Sequence, residues 1–350
     1  MEERPVYHFT TKHRWQVRMH FFTGVTIWPW VRFLSQFWRC IDWATYFHRI
    51  IFLSIMSVLN TMLAMVEWIL YSRHYNNQAL HPEPVFILGH PRSGTTHLHY
   101  LMSQDPDFIF TTMFQAVFPS AFICLRPFQD AISRMIMDDH RPMDNVKLGG
   151  EVPAEDEIGV ASLTGGISPY TAWSLQREEK RCFRDFYSFL RAKSSEAPSS
   201  SLHSKKLSYY FQEWQQCFLL FLKKVTYWYS RASSDKAPKQ LLLKSPVHTA
   251  RIQILLKMFP KAKFVLIHRH PMDVFLSSAH FADTYFWYTS LQQPTDRHST
   301  DYILDQYELL HKQYMADRAL IDKDCLHEVS FDELEADPLS SIQAIYTKFG

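Results

Sequence analysis

Short apolar runs recur from residue 85 onward and are separated by helix-like patterns. The run VFILG at 85–89 ends at a glycine, and the runs LLLK at 241–244 and KFVLIHR at 263–269 are similarly short. Short apolar runs that end in turn residues are typical of buried strands. Residues 245–262 lie between the last two runs and fit a crossover helix, which indicates parallel βαβ units. The pattern therefore predicts an α/β fold around a central, mostly parallel sheet.

Helical segments occupy much of the remaining sequence. The spacing of apolar residues predicts a helix from 97 to 103, a long helix over 208–229 and a last helix that begins at an Asp-Pro cap at 337. Residues 325–334 predict a further strand and turn, whereas 105–180 shows a mixture of loop and helix patterns.

Two polar stretches and the N-terminal region complete the organisation. Residues 192–206 predict a solvated linker or insertion, and residues 233–239 predict a loop. Residues 1–80 are rich in aromatic side chains and predict a helical layer that precedes a single domain at 81–350.

Residues 50–71 are almost long enough and apolar enough to cross a bilayer. A narrow stripe of small or polar side chains nevertheless repeats at helical spacing, and Glu67 lies near it; the stripe comprises Ser54, Ser57, Thr61 and Ala64. Three arrangements are compatible with this pattern: an amphipathic helix packed on the domain, a helix lying on or in a membrane, and a single membrane span.

Composition excludes several classes of protein. Of 350 residues, 47% are apolar and 21% charged, a composition that supports a large core, and the net charge of +2 gives no global field for nucleic acid. Aromatic residues make up 15%, which favours an apolar ligand, extensive aromatic packing or membrane contact. The five cysteines contain no C-x-x-C pair, so neither a disulfide framework nor a zinc site is expected. The polar first 20 residues do not resemble a signal peptide.

The first apolar run leads into a loop suited to anion binding. Gly89 and Gly94 have the spacing of the two glycines in a P-loop, but Thr95 replaces the lysine that normally reaches the β- and γ-phosphates. Arg92 supplies positive charge within the loop instead. Backbone N–H groups and the dipole at the start of the following helix would add to that charge. The loop is predicted to hold one terminal phosphate-like group.

A second candidate anion site follows the run at 263–269. Arg269 ends the predicted strand, and Ser277 lies eight residues later on the predicted next helix. An arginine with a hydroxyl partner suits a phosphate. Two anion sites in series would hold the two ends of one doubly phosphorylated nucleotide.

These two motifs resemble those of the sulfotransferases that use 3′-phosphoadenylyl sulfate (PAPS). HPRSGTT at 90–96 looks like their 5′-phosphosulfate loop, and RHPMDVFLSS at 269–278 looks like their 3′-phosphate motif. Residues 241–269 and 331–350 are also similar to the family. The resemblance covers roughly 84–350 and implies a P-loop-type, three-layer fold that transfers a sulfuryl group from PAPS to a hydroxyl or amine.

The resemblance also implies roles for particular residues. The phosphosulfate of PAPS would contact the loop residues Arg92, Ser93, Gly94, Thr95 and Thr96. Arg269 and Ser277 would bind the 3′-phosphate, and Lys244 would stabilise the transition state near the sulfuryl group. No metal cofactor is expected, because fixed cations can neutralise the leaving bisphosphate.

The base that takes the acceptor proton is less evident from sequence. Phe114-Gln115 stands where some relatives carry Trp-Glu, so that carboxylate is absent. The acidic element PAEDE at 153–157 resembles a family element, which makes Glu155 the first candidate and Asp156 the second. An exposed acidic helix cap is the alternative interpretation. Three histidines are weaker candidates, namely His97, His99 and His248.

Three other functions remain open at this stage. They are a P-loop kinase or NTPase, an inactive nucleotide-binding homologue and a membrane-anchored scaffold. Two features count against a P-loop kinase: position 95 is Thr95 where the P-loop has lysine, and no clear Walker-B aspartate follows an apolar strand. The aromatic-rich sequence favours a lipid, sterol, phenol or other apolar alcohol as acceptor, with sugars and peptide tyrosines as alternatives. Neither the compartment nor the oligomeric state is predicted.

Overall fold

Five parallel strands form the central sheet. The computed structural model describes residues 6–10, 15–18, 20–136, 149–189, 201–231 and 238–350, without the side chains of 201–204. The strands in these regions are β1 (Val85–Leu88), β2 (Phe108–Phe110), β3 (Gln240–Lys244), β4 (Lys263–His268) and β5 (Leu326–Ser330). Their order is β2-β3-β1-β4-β5, and each adjacent pair is parallel. The carboxyl ends of the strands therefore meet at one edge, where open α/β sheets bind ligands.

Helices cover both faces of this sheet. Their bounds are α1 (Ile27–Phe37), α2 (Trp43–Asn76), α3 (Thr95–Met102), α4 (Met113–Val117), α5 (Gln129–Ile136), α6 (Asp156–Leu163), α7 (Ser201–Ser230), α8 (Ile252–Met258), α9 (Pro271–Phe281), α10 (Trp287–Thr289), α11 (Asp296–Asp317), α12 (Phe331–Ala336) and α13 (Pro338–Phe349). The predicted three-layer α/β architecture is confirmed.

Alternating side chains on each strand divide the interior into two cores, because successive residues of a strand point to opposite faces. Phe86 and Leu88 of β1 belong to a large core, whereas Val85 and Ile87 belong to a smaller one. Helices α3, α12 and α13 complete the smaller core with Leu98, Leu334 and Ile345. The sheet is therefore buried on both sides, as an all-parallel sheet requires.

The N-terminal helices are part of the large core. Phe22, Trp30 and Leu53 are buried in it together with strand residues. Arg49 of α2 is fully buried and donates hydrogen bonds to the backbone carbonyls of Trp287 and Ser290. The predicted helical layer therefore exists and shares its interior with the sheet domain, while the proposed boundary at residue 80 stays a prediction.

Several element boundaries differ from the prediction. The sequence missed β2, because a three-residue strand is too short to produce a distinct pattern. The segment 245–262 is not one helix: a 3₁₀ turn at Pro246–Ala250 precedes α8. Helix α7 begins at Ser201, within the predicted linker. Residues 190–200 and 232–237, which carry most of the linker and loop predictions, lie outside the described residues.

Candidate functional site

The loop between β1 and α3 is fixed by two glycines. Gly89 and Gly94 have φ angles of +144° and +102°, which other residues rarely adopt. A Cβ at Gly89 would lie 2.5 Å from the carbonyl oxygen of Ile267, and a Cβ at Gly94 would lie 2.4 Å from the ring of Phe331. Both positions therefore require glycine because the loop lies directly against β4 and α12.

Arg92 connects this loop to α9. Its own φ of +74° is unusual for a residue with a side chain. The guanidinium Nε donates a hydrogen bond to Ser277 Oγ at 3.0 Å, and the group also lies over the ring of Phe281. The two motifs that the sequence singled out are therefore in direct contact.

Ser93 stabilises the loop internally. Its hydroxyl lies 2.8 Å from the carbonyl oxygen of His90 and 3.1 Å from that of Ile267, and the residue is buried. Thr95 and Thr96 instead line a cavity together with Arg92. Among the predicted phosphosulfate ligands, Ser93 thus holds the loop to β4, while its role toward a ligand stays a prediction.

Glu155 lines that cavity, and Lys244 contacts its carboxylate. Lys244 ends β3, beside β1, and its Nζ lies 2.8 Å from Glu155 Oε1 and 3.5 Å from Thr96 Oγ1. The second carboxylate oxygen of Glu155 accepts a hydrogen bond from the Tyr170 hydroxyl. Burial and the charge of Glu155 raise the pKa of Tyr170 well above its usual value, so this hydroxyl stays protonated. Lys244 and Tyr170 together fix the carboxylate at the cavity.

Asp156, the second candidate base, does not line this cavity. It is fully buried and its two oxygens contact His248 Nε2 at 2.6 Å and Ser245 Oγ at 3.1 Å. Burial alone would raise the pKa of Asp156, but the contacts with His248, a backbone N–H group and Ser245 together outweigh that effect, and the pKa is lowered. Asp156 is a buried structural carboxylate that supports the start of α6.

Glu157 is also structural. It forms a fully buried ion pair with Arg251, whose Nη1 lies 2.6 Å from Glu157 Oε2. Trp214 Nε1 and Ser168 Oγ donate further hydrogen bonds to the same carboxylate. Of the three consecutive acidic residues, only Glu155 lines the cavity.

Arg269 lies at the same sheet edge as the loop, because β4 is the parallel neighbour of β1. Its guanidinium lies over the ring of Phe331, the ring that Gly94 contacts. The buried Nε has no hydrogen-bond partner among the described residues, and the closest carboxylate, Asp273, is 4.0 Å away. The Ser277 hydroxyl contacts Arg92. That Arg269 and Ser277 bind one 3′-phosphate together stays a prediction.

Arg269 lines a second cavity on the other side of the loop. Gly89, His90 and Ser93 form part of its wall, and Tyr307 and His311 stack on each other there, with ring centroids 4.0 Å apart. Two cavities thus flank one loop, and each contains an arginine.

The remaining candidates are not at the cavity. His97 is exposed, and His99 and His248 are buried. Gln115 is buried as well, and its Oε1 accepts a hydrogen bond from the backbone N–H of Thr112, which caps α4. The position that carries a carboxylate in some relatives is therefore a helix cap in this chain.

An aromatic wall was missed by the sequence analysis. Tyr170 and Trp173 stack with ring centroids 4.2 Å apart, and Trp173 also contacts Phe281 and Phe286. All four line the same cavity as Arg92. Their only sequence signal was the general richness in aromatic residues, because they come from segments more than 100 residues apart.

Fold and site together define a class of protein: an α/β protein of P-loop type whose glycine-containing loop lies beside a lysine-carboxylate pair. The chain belongs to the sulfotransferase family, whose profile matches residues 84–350. This membership argues against the kinase alternative. Among the described residues, no cluster of His, Cys, Asp and Glu could hold a metal ion.

Mycobacterial proteins are similar to the chain over most of its length. It is 26% identical over 303 residues to the omega-hydroxy-beta-dihydromenaquinone-9 sulfotransferase Stf3 of Mycobacterium bovis and to that of Mycobacterium tuberculosis. Each alignment covers 87% of this chain and 72% of the relative. These relatives support the conclusion that the chain is an enzyme that transfers a sulfuryl group.

Two solved structures have a similar fold. Sulfotransferase STF1 from Mycobacterium tuberculosis has a TM-score of 0.60 at 17% identity and covers 91% of this chain and 80% of its own. Sulfotransferase STF9 from Mycobacterium avium has a TM-score of 0.60 at 20% identity. The match covers 93% of this chain and 80% of STF9. At these identities the similarity establishes the fold alone.

Proposed function

We propose that the protein transfers a sulfuryl group from PAPS to the hydroxyl of an apolar alcohol. The main support is the position of Lys244, whose Nζ lies between Thr96 at the start of α3 and the carboxylate of Glu155. A cation and a carboxylate thus stand together at the loop that would hold the transferred group.

The donor would be bound by both cavities. Arg92 and the N–H groups at the start of α3 suit the phosphosulfate, since cations and N–H groups complement its negative charge. The buried, unpartnered Nε of Arg269 suits the 3′-phosphate. The stacked rings of Tyr307 and His311 line the same cavity as Arg269 and offer a surface for a nucleobase.

The reaction would proceed by in-line displacement. The acceptor oxygen forms a bond to sulfur while the bond between sulfur and the phosphate oxygen breaks, releasing adenosine 3′,5′-bisphosphate. Glu155 would take the acceptor proton, and Lys244 would stabilise the charge on the sulfuryl oxygens and the leaving phosphate. Tyr170 would act as a positioning residue, because its hydroxyl holds one oxygen of Glu155.

An apolar acceptor fits the walls of the cavity. Tyr170, Trp173, Phe281 and Phe286 face it beside Glu155, so aromatic surface surrounds the proposed base. The substrate in the name of the Mycobacterium relatives is a hydroxylated menaquinone, a lipid alcohol. An aliphatic or isoprenoid alcohol is therefore the acceptor class that we propose for this chain.

A transfer assay with labelled donor tests this function. We expect ³⁵S from PAPS to appear in a sulfate ester of an isoprenoid or long-chain alcohol, with its mass confirmed by spectrometry. Sugars and tyrosine peptides should give much less product. A protein that binds adenosine 3′,5′-bisphosphate but modifies no acceptor would instead be the inactive homologue.

A further inference from the structure

The outer face of α2 is apolar along most of its length. From residue 47 to 70 every exposed side chain is apolar: Phe47, Ile51, Ile55, Val58, Leu59, Met62, Met65, Val66, Trp68, Ile69 and Leu70. At a rise of 1.5 Å per residue this face is about 35 Å long. Monomeric soluble proteins rarely expose contiguous apolar patches larger than a few hundred Å².

Between residues 47 and 70, none of the polar side chains of α2 is exposed, and several point inward. Asn60 Nδ2 donates to the carbonyl oxygen of Thr23 at 2.7 Å, and Ser54 Oγ accepts a hydrogen bond from Trp30 Nε1 at 2.9 Å. Glu67 is buried and forms an ion pair with Lys224. This arrangement reverses the usual orientation of an amphipathic helix in water, where the apolar stripe faces the core.

The same inward contacts determine how α2 can meet a membrane. It has the length and composition of a membrane-crossing helix. However, Arg49 near its start and Tyr75 near its end are both buried against the domain, and the carbonyl oxygen of Asn76 accepts a hydrogen bond from Lys223 of α7. Because contacts with the domain occur near both ends of the helix and between them, α2 lies along the domain surface in this fold.

We propose that the outer faces of α2 and α1 form a surface that docks the enzyme onto a lipid bilayer, with α2 lying in the plane of the membrane interface. Helix α1 packs beside α2 and adds the exposed side chains of Ile27, Trp28 and Val31. This docking surface consists of the α2 residues named above together with these three. Burial of its apolar side chains in lipid would drive the association.

The residues around the docking surface favour lipid over a second copy of the chain. Trp28, Trp38, Trp43 and Trp68 are exposed, and tryptophan prefers the boundary between acyl chains and headgroups. A coiled-coil partner would require a narrow seam flanked by charged residues. The apolar face of α2 is wider than such a seam and carries no exposed charge from 47 to 70.

Cations are present at the margins of the docking surface. Arg39 follows α1 and Arg73 lies in the last turn of α2; both are exposed, and neither forms an ion pair with a described residue. These charges complement anionic headgroups. We therefore expect the protein to bind neutral vesicles and to bind more strongly to vesicles that contain anionic lipid.

Vesicle flotation of the full chain tests the docking surface without donor or acceptor, so its result is independent of the proposed sulfuryl transfer. We expect the wild type to float with phosphatidylcholine vesicles and more strongly with vesicles containing 30% phosphatidylglycerol. The variant Ile55→Glu/Met62→Glu should lower the bound fraction by at least about tenfold, because both carboxylates would enter the lipid boundary. The control Leu320→Glu/Leu339→Glu changes two exposed leucines elsewhere and should float as the wild type does.

Three results would overturn the proposal. They are a wild type that floats with neither vesicle, a variant of α2 that floats as well as the control, and a lipid-free dimer that the α2 variant dissociates while vesicles capture nothing. Should the α2 variant fail to fold, quenching of wild-type fluorescence by brominated phosphatidylcholine replaces it. The quenching should be smaller in Trp68→Phe, and its absence in the wild type would also overturn the proposal.

Discussion

Arg92 in the β1–α3 loop donates a hydrogen bond from Nε to the hydroxyl of Ser277 on α9, 3.0 Å away. The two residues are 185 positions apart in the sequence. Their contact joins the loop to the helix that follows Arg269, so the two motifs that we propose to bind anions form one structural unit.

This contact predicts coupled effects on donor affinity. Arg92→Ala should weaken binding of adenosine 3′,5′-bisphosphate by roughly 10- to 150-fold, the range for losing a charged hydrogen bond. Ser277→Ala should weaken this binding by a smaller factor. In the double variant, the loss of binding free energy should be smaller than the sum of the two single losses, because the hydroxyl positions the guanidinium. Isothermal titration calorimetry measures all three. Strictly additive losses would show that Ser277 acts on the ligand independently of Arg92.

Glu155→Gln separates chemistry from binding. The amide cannot accept the acceptor proton, so kcat should fall by roughly 10²- to 10⁴-fold while affinity for adenosine 3′,5′-bisphosphate stays near that of the wild type. Transfer of labelled sulfuryl groups and calorimetry provide the two measurements. Asp156→Asn is the matched control, since that carboxylate is adjacent in sequence but buried away from the cavity. It should lower the midpoint of thermal unfolding, and its effect on kcat should be smaller than that of Glu155→Gln.

The buried pair of Glu157 and Arg251 predicts a large effect on stability. Glu157→Gln leaves the Arg251 guanidinium without its counter-charge inside the core, and the free energy of unfolding should fall by about 3–5 kcal/mol. Urea denaturation measures this change. In the control, Glu308→Gln removes one partner of the exposed pair with Lys312 and should change stability by at most about 1 kcal/mol. Equal effects of the two substitutions would contradict the assigned burial.

The lowered pKa of His99 predicts how the free energy of unfolding depends on pH. Burial, assisted by the charge of Lys244, lowers the pKa of His99 from about 6.5 to about 3. The folded state therefore excludes a proton that the unfolded state binds below pH 6.5, and stability falls as the pH is lowered through this window. This one group should contribute a loss of about 2 kcal/mol between pH 6.5 and 4.5.

Urea denaturation at several pH values tests the contribution of His99. The substitution His99→Gln removes the titrating group and should flatten the curve of unfolding free energy against pH in this window. His97→Gln, on the exposed side of the same helix, should leave the slope as it is in the wild type. An unchanged slope in His99→Gln would mean that His99 is protonated alike in the folded and unfolded states.

Local patterns were sufficient to identify the framework of the protein. Apolar runs ending in glycine or a charged residue revealed β1, β3 and β4, because a strand buried on both faces must be apolar throughout. The spacing of Gly89 and Gly94 identified the loop, since a tight turn with positive φ leaves few alternatives to glycine. Arg92 was recognised from its place in this loop and Arg269 because it ends the run at 263–269, whereas Lys244 was assigned from the resemblance to the sulfotransferases.

Only the tertiary structure shows which of several neighbouring side chains faces the cavity. Glu155, Asp156 and Glu157 are consecutive, and each step along a helix rotates a side chain by about 100°. Only the packing of α6 against α4 and α7 decides that Glu155 faces the cavity while the other two enter the core. The aromatic wall and the outward-facing apolar side of α2 were hidden for the same reason. Periodicity reveals that a helix has two faces, but only the partners of Asn60, Glu67 and Arg49 decide which face is inside.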